Sequence, residues 1–111
     1  MTTAAFTTRG ERIESVSLSG HAGLAEAGQD VLCAALTSAV RLTECALNDV
    51  LGVGAAVRLR ERDASVRLKL PGGLSQLDEA VCQALMAGLM VYLTELSEEY
   101  PQHLSVINTE V

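Results

Sequence analysis

The chain opens with period-two patterning. Residues 2–8 and 12–19 are rich in β-branched and hydroxyl side chains, with Ile13, Val16 and Leu18 as the main apolar members, and read as two strands. Arg9-Gly10-Glu11 between them is a hairpin turn, because Gly10 can adopt positive φ. The alternation breaks between Glu14 and Val16, which leaves the register of the second strand open. Residues 20–29 carry Gly20, Gly23 and Gly28 among small side chains and read as a mobile loop, with a short helical turn as the alternative. Asp30 then opens a helix, as cap or first-turn residue, that runs to about Leu51 and stops at Gly52 and Gly54.

At about 100° per residue, Asp30, Thr37, Arg41, Glu44 and Asn48 make a polar stripe beside an apolar arc of Leu32, Leu36, Ala39, Leu47 and Val50. Cys33 falls on the border of the two, partly exposed and in the first turn. Residues 55–60 and 65–70 form a second hairpin around 61–63. Its Val57, Leu59, Val66, Leu68 and Leu70 face a core, and Arg58, Arg60, Arg67 and Lys69 face water. That basic stripe is most simply a solvent face, with binding of a carboxylate or substrate as the alternative. After Pro71-Gly72-Gly73, Ser75 and Asp78 resemble a capping box and start a helix reaching about residue 98. Residues 84–93 are apolar around nearly the whole circumference, so this helix is covered on more than one side. Residues 103–111 make a last strand.

The order β-β-α-β-β-α-β predicts an α+β fold. Residues 1–111 form a single small domain, a mixed sheet with two helices packed on it. The all-round apolar helix points to a two-fold homodimer.

Composition narrows the function. Hydrophobic residues make up 49% of the chain and aromatics 3%, so the core is aliphatic and a site of stacked rings is excluded. Eight basic against fourteen acidic residues give a net charge of −6, which argues against direct nucleic-acid binding. There is no basic stretch followed by an apolar run at the N-terminus, and the apolar run at 84–93 is half the roughly 20 residues of a membrane span. A cytoplasmic protein without membrane contact is the expectation. Three scattered cysteines fit a reducing compartment, and no Cys or His pair has metal-site spacing, so neither metal nor cofactor is expected.

One constellation carries chemistry: Gly20-His21-Ala22-Gly23, then Gly28-Gln29-Asp30-Val31-Leu32-Cys33-Ala34. It sets a histidine just past a strand end and a cysteine near a helix start. A helix N-terminus favours thiolate, and a histidine within reach can take the proton and return it to a leaving amine. Amides of Cys33 and the loop would stabilise an oxyanion. The competing reading is structural, since free cysteine is usually buried. Asp30 is either a cap or a partner that orients His21. Cys45 and Cys82 read as core fillers, Ser38 as a small residue packed against the sheet, and His103 as a surface residue.

These residues resemble the ribosomal-processing cysteine proteases, a bacterial family once known only as a domain of unknown function. The family pattern is Gly-His-Ala at a strand end, a glycine-containing loop, then Asp, two apolar residues and Cys-Ala. Gly20-His21-Ala22, Gly28, Asp30, Val31-Leu32 and Cys33-Ala34 meet it. Element order and the Glu98-Glu99-Tyr100 end of the second helix also agree, so the likeness covers essentially the whole chain. Leu32, where the family commonly has Val, and Thr37, where it commonly has Ser, depart from the pattern. The resemblance implies an endopeptidase that removes a short N-terminal extension from the precursor of large-subunit ribosomal protein twenty-seven. His21 is then the base, Cys33 the nucleophile and residues 22–29 a flap, in a homodimer whose substrate is cut after an aromatic residue. The alternative is a non-catalytic dimeric ribosome-assembly or interaction module with Cys33 buried. A thiol redox sensor is a weaker third reading, because no resolving cysteine is near in sequence.

Overall fold

Strands β1 (Thr2–Arg9) and β2 (Arg12–Ser19) form the expected antiparallel hairpin, with Gly10 at φ 60° in its turn. The computed structural model describes residues 1–20, 27–60 and 65–111, with the backbone alone at 27–30. Helix α1 (Ala27–Glu44) continues into a π-helical segment, Cys45–Val50; β3 (Ala56–Arg60), β4 (Ser65–Lys69), α2 (Gln76–Glu99) and β5 (Leu104–Glu110) follow. The sheet order is β3-β4-β2-β1-β5, with β5 parallel to β1 and the remaining pairs antiparallel. This is the mixed sheet that the element order predicts.

The break in alternation on β2 has a definite cause. Thr7 pairs with Ser15 and Thr8 with Ile13, so Glu14 is an extra residue on β2. The bulge lets Ile13 and Val16, three positions apart, face the same side, where both are buried. Ala4, Phe6, Val16, Leu18, Leu68 and Leu104 line that face and merge with Leu32, Leu36, Val40 and Leu47 of the first helix and Cys82, Met86, Leu89, Leu93 and Leu96 of α2. Both helices therefore lie on one face. Phe6, the single phenylalanine, is fully buried at its centre, and truncation to Ala would cost about 3–5 kcal/mol.

The first helix departs from expectation at both ends. It starts at Ala27 rather than near Asp30, so Gly28 and Gln29 are helical rather than loop. At the other end Leu51 N–H donates to Ala46 O at 3.0 Å, an i→i−5 bond. The wider π turn delays the return of the apolar face. Val50, assigned to the arc, is 81% exposed as a result, and Leu51 and Val53 pack inward instead. Asn48 then ties the helix end to the next strand, donating from Nδ2 to Ala55 O at 3.0 Å and accepting from Ala55 N–H at 2.7 Å.

Ser75 caps α2 as predicted, its Oγ accepting from Asp78 N–H at 3.1 Å. Arg12 and Gln83 dock that helix on the bulged strand. Arg12 Nε meets Glu79 Oε2 at 2.7 Å and Arg12 Nη2 donates to Pro71 O at 2.7 Å. The Glu79 hydrogen bond raises the Arg12 pKa further, against the opposing effect of burial. On the second hairpin Leu68 and Leu70 are buried, but Leu59 is 74% exposed, because β3 is the sheet edge. Val31–Val50 and Gln76–Glu99 are long and apolar enough to cross a membrane by composition; in this fold each lays one face on the sheet.

Candidate active site

Gly20 ends β2 beside the chain start. Its φ is +92°, and a Cβ there would sit 2.5 Å from the Met1 carbonyl oxygen and 3.6 Å from Thr2 Cα. Only glycine satisfies both the conformation and the close approach. The residue before His21 thus lies tight against the backbone of Met1 and Thr2. Thr2 itself is buried, and its Oγ1 has no hydrogen-bond partner among the described residues. Sequence reasoning missed this orphaned hydroxyl beside Gly20, because a threonine opening a strand looks ordinary.

Cys33 is a free thiol of intermediate exposure, at the core–solvent border where helical phase put it. It is not in the first turn, however. With the helix starting at Ala27, Cys33 is the seventh helical residue, and its amide belongs to the i→i−4 ladder. The free amides of the helix start are those of residues 27–30, which corrects the expectation that the Cys33 amide itself is available to an oxyanion. Asp30 remains a first-turn residue. Its side chain, His21 and loop residues 22–26 lie outside the described residues, so the expected dyad and flap do too. Leu32 is buried, while Thr37 is exposed.

The other cysteines divide. Cys82 is completely buried, as expected, and burial first, then Glu79 and Asp78, push its thiol pKa up. Cys45 is exposed rather than a core filler. It sits about 200° around the helix from buried Thr43, so it points away from the sheet. Ser38 is likewise exposed and lines an open groove of about 450 Å³ between the helices, with Ala35, Ala39, Leu42, Gly88 and Tyr92. His103 is half-buried; its main chain accepts from Thr2 N–H at 2.9 Å and donates to Tyr100 O at 3.0 Å. Among the described residues no group of three or more His, Cys, Asp or Glu side chains could hold a metal ion.

A partly exposed thiol on the helix that follows a Gly-His strand end, in a five-stranded α+β domain, has the features of a small thiol hydrolase. The family model of the cysteine protease Prp matches residues 1–105, and the chain belongs to that family of cysteine proteases. The reading of a non-catalytic module is thereby set aside. The fold agrees. SMU.848 from Streptococcus mutans superposes with a TM-score of 0.87 at 28% identity, covering 100% of this chain and 96% of that one. An essential ribosomal processing protease Prp from S. aureus, crystallised with a substrate peptide, gives 0.83 at 17% identity, covering 98% of this chain and 100% of that one. The same protease with a covalently linked product peptide gives 0.82 at 20% identity over the same shares. No curated protein matches the chain.

Proposed function

We propose that this protease removes the N-terminal extension of large-subunit ribosomal protein twenty-seven in the cytoplasm, through a dyad of Cys33 and His21. The observation that carries this is the family match across residues 1–105, with a half-exposed thiol at the motif cysteine and Gly20 locked beside Met1. The S. aureus relative is a ribosomal processing protease, and its covalently linked product peptide is what an acyl-forming nucleophile would leave.

In this reading His21 takes the Cys33 proton, and Sγ bonds to the scissile carbonyl carbon. The oxyanion needs amide donors, and on this helix the unpaired ones are those of the first turn. As the intermediate collapses the C–N bond breaks and the imidazolium gives its proton to the leaving amine. Water, deprotonated by the same imidazole, then hydrolyses the thioester and frees the thiol. Asp30 can orient His21 or stabilise the helix start. The acidic surface suits a basic substrate. Exposed Leu42, Val91 and Tyr92 on the outer helix faces support a homodimer.

The test is cleavage of the extended ribosomal protein by Cys33→Ala and His21→Ala variants. Each is expected to lose cleavage by at least about 10³-fold while staying folded; full cleavage by either would sink the dyad. Size-exclusion chromatography with light scattering should give twice the chain mass, and a monomer at micromolar concentration would refute the dimer.

A further inference from the structure

The net charge of −6 hides a segregation. Five of the eight basic residues, but only two of the fourteen acidic ones, lie between positions 58 and 69. The fold then puts Arg58, Arg60, Arg67 and Lys69 on the sheet face that the helices leave open. All four are exposed, and none has an ion pair among the described residues, whereas Arg9 and Arg12 are bound to Glu14 and Glu79. Arg58 and Arg67 are direct cross-strand partners. Like charges in that position destabilise a sheet, and nothing nearby in the described structure offsets them. The neighbouring rows of the same face are short and hydroxyl-rich: Ser17 partners Arg67 and Ser65 partners Arg60, both part-exposed, while Ser15 opposite Lys69 is buried and bonded to Thr7.

We propose that this face binds the phosphodiester backbone of RNA. Guanidinium, ammonium and hydroxyl groups are the donors that phosphate and sugar contacts use. Serine hydroxyls beside the cations can also pair with a 2′-hydroxyl, which is both donor and acceptor and is absent from DNA. A protein partner fits less well. Protein interfaces are anchored by buried aromatic and large apolar side chains, and this face has no ring and one large apolar residue, the half-exposed Ile107. Without rings to stack bases, recognition is of the backbone and insensitive to sequence. The cations lie on the sheet face opposite the helix that carries Cys33, so loss of RNA binding and loss of cleavage are measured as separate readouts.

The experiment is fluorescence anisotropy of the full chain with a labelled single-stranded RNA of mixed sequence, beside DNA of the same sequence and a poly-glutamate peptide. Four phosphate contacts predict an affinity loss of roughly 50-fold between 50 and 200 mM salt, with DNA and poly-glutamate binding more weakly than RNA. Arg58→Glu with Arg67→Glu should abolish binding, Arg58→Lys with Arg67→Lys should largely retain it, and Arg41→Glu on α1 should leave it unchanged. Arg58→Glu alone should weaken RNA binding while raising the melting temperature, because it replaces a cross-strand repulsion by a pair. Absence of binding at 50 mM salt, equal affinity for DNA or poly-glutamate, or indifference to the double reversal would overturn the proposal.

Discussion

The carboxamide of Gln83 pairs with both main-chain groups of Ile13: Ile13 N–H donates to Oε1 at 2.7 Å, and Nε2 donates to Ile13 O at 2.9 Å. The ladder of β2 with β4 covers Ser15 to Leu18, so Ile13 has no strand partner on that side and the side chain of α2 replaces one. Gln83→Met keeps the volume and removes both bonds. It should lower the unfolding free energy by about 1–3 kcal/mol, read as a fall in the urea midpoint at constant slope.

The bulge at Glu14 makes a less obvious prediction. Deleting Glu14 leaves Ile13 and Val16 two positions apart, which returns both to the core face in a regular ladder. The variant loses the Arg9–Glu14 pair at 2.9 Å and the Leu70 N–H bond to Glu14 O at 2.9 Å. It should fold with a loss of about 1–2 kcal/mol. Deleting Ser17, inside the regular ladder, flips every residue on one side of it and should give no soluble folded protein. Circular dichroism with urea titration of the two deletions checks the contrast.

Gly20→Ala combines a strained backbone with a contact that only a shift of Met1 can relieve. The conformation alone costs about 1–3 kcal/mol, and displacing the chain start adds to it. A melting temperature lowered by several degrees is expected, while Gly72→Ala, where a Cβ meets nothing within 4 Å at an unremarkable φ, should change little.

The three thiols should react in order of access. Peptide mapping after iodoacetamide should find Cys45 labelled readily and Cys82 protected until denaturant is added. The raised Cys82 pKa also has a thermodynamic sign. Above the ordinary thiol value the unfolded chain loses this proton first, so the folded chain binds more protons and stability falls as pH rises. The Cys82→Ala variant should show a shallower decline above about pH 9 than the parent, measured by urea midpoints.

Much of the architecture was legible without coordinates, because hydrophobic period and turn chemistry act locally. Gly10, the Ser75 cap, the two hairpins and the glycine stop after the first helix follow from residues within a few positions of each other. The misassigned residues share a different cause. Cys45 lies in an apolar stretch, yet its helical phase sets it about 200° from Leu47 of the apolar arc. Val50 obeyed the α-helical phase but sits in a π turn, and Leu59 alternated correctly but lies on an edge strand that the helices do not cover. For the site, the Gly-His and Asp-x-x-Cys spacing was visible from the residues, and so was the partial exposure of Cys33. The constraint on Gly20 was not, because it comes from Met1, nineteen positions away in the chain.

By itself the sequence determined the order of elements, the aliphatic core and the residues able to do nucleophilic chemistry, since these depend on side-chain type and short-range spacing. Only the tertiary structure decided which surfaces are left open. Packing both helices on one side of the sheet buries Cys82, exposes Cys45 and turns the outer face of β3 and β4 to water. That same choice leaves the cations that one local hairpin already gathers facing open solvent, because which side of the sheet is covered depends on where the distant helices pack.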